Sequence, residues 1–266
     1  HTLDAPQRGS KTYRRLRVMW WSLRTFSDRV IAVSEGARRS HLLVSGDSPD
    51  RVITLYNGID LSRFPGPDDA ARSQIRQELG IPPDAPLLIT VAVLRPPKGI
   101  QYLVEALPAI LETVPGAYYL IVGDGEHRPA LEALAASRGV AERVVFAGMR
   151  RDVPCLLAAA DVFVLPTLTE ALPTVVAEAM AARKPVIASA VGGVPEMVAD
   201  RHSGLLLPPA DVPALAGACI DLLSHPDRAR TMGEAGRRIA EERFDILAQT
   251  RRLGDLYGQL LESYGR

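Results

Sequence analysis

The chain has 266 residues, 47% hydrophobic and 23% charged, and its 31 basic and 31 acidic residues cancel. That balance argues against nucleic-acid binding, which calls for a basic excess. Two cysteines, Cys155 and Cys219, fall in apolar helical patterns, read as buried small hydrophobes, and suggest neither a disulfide framework nor a zinc site. No run approaches the roughly 18 apolar residues of a membrane span. The first residue is His1 rather than Met, and no signal-peptide pattern follows, so the natural protein is expected to begin upstream and to be cytoplasmic.

In chain order, the first segment, residues 11–26, is basic and carries Trp20 and Trp21. It reads either as a helix lying on the inner face of a membrane or as one packing on a preceding domain. Arg29–Val33 reads as a strand, Gly36–Val44 as a helix and Arg51–Leu55 as a second strand, with a turn at Asn57-Gly58. The stretch Arg63–Ala70, with two prolines, a glycine and two aspartates, reads as a connector, and residues 75–79 as a short helix ended by Gly80 and Pro82.

From Leu87 the pattern changes. Short apolar runs rich in Val, Ile and Leu lie at Leu87–Val93, Tyr118–Val122, Val144–Phe146, Val162–Leu165, Val186–Ser189 and Gly204–Leu207. Such runs suit parallel strands buried on both faces. Helical patterns separate them. After Gly99, residues Ile100, Leu103, Val104, Leu107, Ile110, Leu111 and Val114 recur at helical spacing, with Pro108 expected to kink that helix. Alternating strand and helix predicts an α/β fold with a doubly wound parallel sheet. Asp211–Tyr264 is almost all helical. The expected divisions are 1–56, the tail of a preceding domain; 57–244, a complete domain; and 245–266, a last helix that reaches back across the boundary.

Several common sites are missing: there is no phosphate-loop G-x-x-x-x-G-K-[ST], H-E-x-x-H, G-x-S-x-G or D-x-D signature. Val122-Gly123-Asp124-Gly125 follows a strand, but position 128 is Arg, so the dinucleotide fingerprint is incomplete and a plain tight turn explains it equally well. The most informative stretch is Asp161–Pro195. A strand runs into a loop carrying Glu170, Pro173 suits the first turn of a helix near Thr174–Ala182, and Glu178 lies in its second turn. A helix N-terminus beyond the carboxyl end of a strand suits a diphosphate, and two flanking carboxylates suit sugar hydroxyls. Read blandly, they are an exposed loop glutamate and a surface glutamate. Arg95 and Lys98, in a loop stiffened by Pro96-Pro97, would bring positive charge to the same crevice. Read blandly, they are solvated cations.

Taken together the motifs resemble the retaining GT-B glycosyltransferases of the family-four group (glycosyl transferases group 1). The resemblance rests on Val33-Ser34-Glu35, Asn57-Gly58-Ile59-Asp60 with Phe64, Pro97-Lys98-Gly99, Val122-Gly123-Asp124-Gly125, Val145-Phe146-Ala147-Gly148 and Ala160-Asp161-Val162. It continues through Glu170-Ala171-Leu172-Pro173, Glu178-Ala179-Met180-Ala181, Lys184-Pro185-Val186-Ile187-Ala188, Gly192-Gly193, Glu196 and Ser203-Gly204. It covers roughly residues 28 to 260 and is specific because so many elements occur in order.

The resemblance implies the Rossmann-like, donor-binding half of a GT-B fold, with most of the acceptor-side half not in this chain. It implies transfer of a sugar from a nucleoside-diphosphate sugar to an acceptor (a glycan, lipid or small molecule), with retention and with neither metal nor cofactor. It gives Glu170 the sugar hydroxyls, Glu178 the ribose and Lys98 the phosphates. Backbone amides around Leu172, Pro173, Thr174 and Val175 would approach the sugar and diphosphate. Gly148 and Met149 would lie near the base and Gly123 near the ligand, and His1 would face the reacting centre. Two positions depart from the pattern. Val93 stands where an arginine is usual, leaving Arg95 to supply the charge, and Ala171 stands where glycine is usual. Two readings from other classes stay open: a non-catalytic nucleotide-sugar-binding module, and an epimerase-like enzyme that would need a redox cofactor.

Overall fold

The computed structural model describes residues 11–64, 66 and 68–264, so His1 lies outside the described residues. Helix α1 (Lys11–Phe26) precedes a small β–α–β unit. Its strands β1 (Val30–Ala32) and β2 (Val52–Thr54) pair in parallel as a sheet of their own, joined by α2 (Glu35–Ser45). Ser34 starts α2 by accepting the amide of Ala37, and Gly46, at φ +68°, ends it in the left-handed region open to glycine.

Next comes α3 (Asp69–Glu78), capped by the Asp68 carboxylate, which accepts the amides of Ala70 and Ala71. The helix therefore begins inside the stretch that composition marks as a connector, because one well-placed aspartate outweighs the prolines before it. The remaining elements alternate: β3 (Leu87–Val91), α4 (Ile100–Thr113), β4 (Tyr118–Val122), α5 (Arg128–Ser137), β5 (Val144–Gly148), α6 (Val153–Ala159), β6 (Val162–Leu165), α7 (Thr174–Ala181), β7 (Val186–Ser189), α8 (Val194–Met197) and β8 (Gly204–Leu207). Helices α9 (Val212–Ser224), α10 (Pro226–Arg243) and α11 (Ile246–Tyr264) close the chain.

The six strands from β3 to β8 form one sheet in the order β5–β4–β3–β6–β7–β8, every neighbouring pair parallel. This is the doubly wound α/β fold expected from the alternating pattern. Side chains alternate between two cores. Leu87, Ile89, Leu120, Val122, Phe163, Leu165, Val186 and Ala188 join one face. Leu88, Tyr119, Ile121, Val162, Val164 and Ile187 join the other. Both faces are covered by helices, which explains why the strands read as unbroken apolar runs.

Helix α4 continues through Pro108. Leu103, Val104, Leu107 and Ile110 are all buried along the inner face, and that burial outweighs one missing intrahelical hydrogen bond. Cys155 is exposed, unlike Cys219; it occupies the outward side of α6, whose buried side is Leu156, Leu157 and Ala159. Strand β3 stops at Val91 rather than Val93, because the chain turns there to meet the loop after β4.

The chain enters and leaves the six-stranded unit at one place. Ile59 donates its amide to Phe244 (2.7 Å) and accepts that of Ile246 (3.0 Å). A Cβ on Gly58 would lie 2.5 Å from the Ile246 Cα, so only glycine fits. Among the described residues no helix is long and apolar enough to cross a membrane.

Candidate functional site

From β3 the chain winds one way, through β4 to β5; from β6 it winds the other way, through β7 to β8. The loops after β3 and β6 therefore diverge at the carboxyl edge, where open α/β sheets collect ligands. Here the two loops are tied together. Gly99, at φ +70°, closes a 3-10 turn over Pro96–Lys98, and a Cβ on it would sit 1.8 Å from the Pro166 carbonyl oxygen. The Pro97 carbonyl accepts the amide of Leu168 (2.8 Å) and the buried hydroxyl of Thr167 (3.0 Å). These contacts bring Lys98 Nζ to 2.5 Å from Glu170 Oε1. The Glu170 side chain is only 11% exposed and that of Lys98 30%, so the pair is partly shielded from water and stronger than a surface ion pair.

Helix α7 leaves this loop directly. Pro173 stands at its N-cap, one place earlier than the first-turn position expected, and no side chain caps the helix. The amides of Thr174 and Val175 open the helix, where the macrodipole is positive. Thr174, Val175 and Glu178 share a helix face by their spacing, while Val176, Ala177, Ala179, Met180 and Ala181 turn to the core. Leu172 is buried beneath the loop. Burial raises the Glu178 carboxyl above its ordinary range, offset in part by the positive charge of Arg63.

The loops after β4 and β5 complete the edge. A Cβ on Gly123, at φ +130°, would lie 1.9 Å from the Ala92 carbonyl oxygen, and the Gly123 amide donates to Gly148 (2.8 Å). Leu94 donates to the Asp124 carbonyl (2.9 Å) and accepts the amide of His127 (3.0 Å). Met149 is 84% exposed. Arg95 is exposed in the β3 loop, with no ion pair to its side chain among the described residues.

Lys98 and Glu170 thus meet, and Thr174, Val175 and Glu178 follow on one helix face. Gly123 and Gly148 are bonded further along the same edge, while Arg95 and Met149 point to open surface. Two residues near these groups escaped the sequence reading. Arg63 lies in the segment taken as a connector and acts on Glu178 through space. Arg128 opens α5, stacks over the Phe146 ring at 5.6 Å and reaches toward Gly148. Its only sequence signal was its place after Gly123-Asp124-Gly125.

The fold and this edge define the class, the GT-B glycosyltransferases. The crystal structure of Anabaena Alr3699/HepE in complex with UDP superposes with a TM-score of 0.87 at 26% identity, over 96% of this chain and 69% of that one. The crystal structure of the C-terminal domain of LpcC, a glycosyl transferase group 1 protein from Francisella tularensis, is covered in full by 71% of this chain, with a TM-score of 0.63 at 25% identity. The model of the glycosyl transferases group 1 family matches residues 71–239, and the chain belongs to that family. A GDP-mannose-dependent alpha-(1-6)-phosphatidylinositol monomannoside mannosyltransferase of Mycolicibacterium smegmatis is 38% identical over 211 residues, 76% of this chain. The chain spans only about half the length of that relative (55%).

Proposed function

We propose that this chain is the donor-binding part of an enzyme that transfers a sugar from a nucleoside-diphosphate sugar to an acceptor with retention at the anomeric carbon. The observation that supports it most directly is the Lys98–Glu170 pair, held at the switch point beside the uncapped start of α7. The two charges satisfy each other. A diphosphate arriving at the helix start offers the ammonium a richer anionic partner and frees the Glu170 carboxylate to accept sugar hydroxyls. Glu178, one turn further along and with no hydrogen bond to its carboxylate among the described residues, is placed to accept the ribose hydroxyls.

In the reaction the bond from the anomeric carbon to the diphosphate oxygen breaks, and negative charge grows on that oxygen. Lys98, the amides around Leu172, Thr174 and Val175, and Arg95 swung in from the surface are assigned to that charge. Preorganised donors of this kind contribute about 10²–10³ each to turnover. No step in this reading needs a metal, and chelation should leave turnover unchanged. Gly148 and Met149 are assigned to the base and Gly123 to the close approach of the ligand. By itself the chain is expected to bind nucleotide but transfer little sugar, because closing a cleft and aligning reactants contribute several kcal/mol more.

UDP is the ligand in the Anabaena structure and GDP-mannose is in the mycobacterial relative's name, so calorimetric titration with UDP, GDP and ADP is the direct test. One of them should bind the parent chain and lose most of its affinity with Lys98→Ala. Failure of all three to bind would end the reading.

A further inference from the structure

The loop between β7 and α8 touches two parts of the molecule at once. On one side Gly192, at φ +55°, and Gly193 press on the loop that carries the ion pair. Added Cβ atoms would lie 1.6 Å from the Glu170 carbonyl oxygen and 2.2 Å from that of Ala171. On the other side the Glu196 carboxylate reaches the start of α2. It accepts the amides of Glu35 (2.8 Å) and Gly36 (2.7 Å) and the hydroxyl of Tyr56 (3.2 Å). Arg243, at the end of α10, donates to the Glu196 carbonyl (2.7 Å) and to the Tyr56 hydroxyl (3.1 Å), and lies over the Tyr56 ring.

Helix α2 already has a cap of its own in Ser34. A second cap, a carboxylate from 160 residues away in sequence, is therefore not needed merely to start the helix. What it adds is a tie between the β1–α2–β2 unit and the six-stranded unit, at the place where the chain crosses between them. Gly36 is packed into this junction, since a Cβ there would meet the Gly192 carbonyl oxygen at 3.1 Å.

We propose that Glu196 is a positioning residue: through the rigid Gly192-Gly193 turn it links occupancy of the Glu170 loop to the placement of α2, and with it the β1–α2–β2 unit. The proposal rests on the donor-site reading above. If the Glu170 loop shifts or stiffens around a nucleoside diphosphate, the turn packed on its carbonyls must follow, and the carboxylate carries that change to the α2 amides. Linkage of this sort is reciprocal, so holding α2 in place also favours the donor-bound loop.

Hydrogen–deuterium exchange of the peptide spanning residues 34–38, with and without a saturating concentration of whichever of UDP, GDP and ADP binds, tests this on the 266-residue chain. In the parent, nucleotide should slow exchange there at least threefold. Glu196→Ala should raise exchange at Glu35 and Gly36 about tenfold without nucleotide, abolish the nucleotide effect, and weaken nucleotide binding by about the same factor as the protection it removes, as reciprocal linkage requires. Glu196→Gln, which keeps one acceptor oxygen, should fall between them, and it carries the comparison if the alanine variant fails to fold. Unchanged exchange at 34–38 in the variants would overturn the tie. Nucleotide that binds by calorimetry yet leaves that peptide unaffected in the parent would overturn the linkage and leave the proposed function standing. No binding by UDP, GDP or ADP would remove both.

Discussion

The two edges of the six-stranded sheet carry similar charged residues and treat them differently. At the amino edge, Asp161 binds Arg72 (2.7 Å), Arg76 (3.1 Å) and the amide of Leu87 (2.8 Å). Arg76 is buried and also donates to the carbonyls of Ala159, Pro82, Pro83 and Ala85. Lys184 donates to the carbonyls of Ala158 and Ala160, and burial pulls its ammonium down to about 8. At the carboxyl edge Lys98 has a single partner, α7 has no side-chain cap and Glu178 no hydrogen bond to its carboxylate among the described residues. Charges whose bonding capacity is used up by the fold hold it together; charges with capacity to spare are where a ligand can bind.

That contrast should show most strongly in catalysis. On the proposed function, Lys98→Ala should lower turnover about 10²–10³-fold while costing about 1–2 kcal/mol of folding stability, between an exposed and a buried ion pair; steady-state kinetics beside urea denaturation measure both. Asp161→Ala should show the reverse. It strips a buried guanidinium of its counter-charge, which costs about 3 kcal/mol, and nucleotide affinity of the folded protein should stay as it was. If Asp161→Ala spoiled binding in the folded state, the division between the edges would fail.

Glu178 sharpens the contrast with a smaller effect. Its folded-state pKa is raised by burial, so the folded chain holds a proton that the unfolded chain has lost once pH passes the ordinary carboxyl range. Stability from this group is greatest in acid and falls as pH rises through the raised value. Glu178→Gln should therefore raise Tm at pH 7 by about 1–3 °C and flatten this part of the pH profile, while weakening nucleotide binding. A lower Tm at pH 7 would show that the carboxylate is already satisfied by the fold. The smallest expected effect is at α1, where Val18, Met19, Trp21 and Phe26 are exposed while Trp20 is buried. We expect no binding of the chain to anionic phospholipid vesicles by sedimentation; co-sedimentation would assign this face to a membrane instead.

Much of this was legible in the sequence, because burial on both faces of a parallel sheet writes itself as short apolar runs and the turns between them are marked by Gly and Pro. Strands β4, β6, β7 and β8 have the bounds their apolar runs predict, and Glu170, Lys98 and the start of α7 share the expected edge. What local pattern left out was contact between distant segments. The early start of α3 depended on one Asp68 cap, and the exposure of Cys155 on which side of α6 meets the core. Arg63 could not be tied to Glu178, nor Arg128 to Phe146, from spacing alone.

By itself, then, the sequence determined the alternation of strand and helix, the winding of the sheet and the kinds of residue at its carboxyl edge, since these follow from periodicity and backbone conformational limits. Only the tertiary structure decided which charges are saturated and which remain available, and that Glu196 reaches back to α2. Hydrogen bonds and close backbone approaches join residues far apart in the chain, and no local periodicity encodes them.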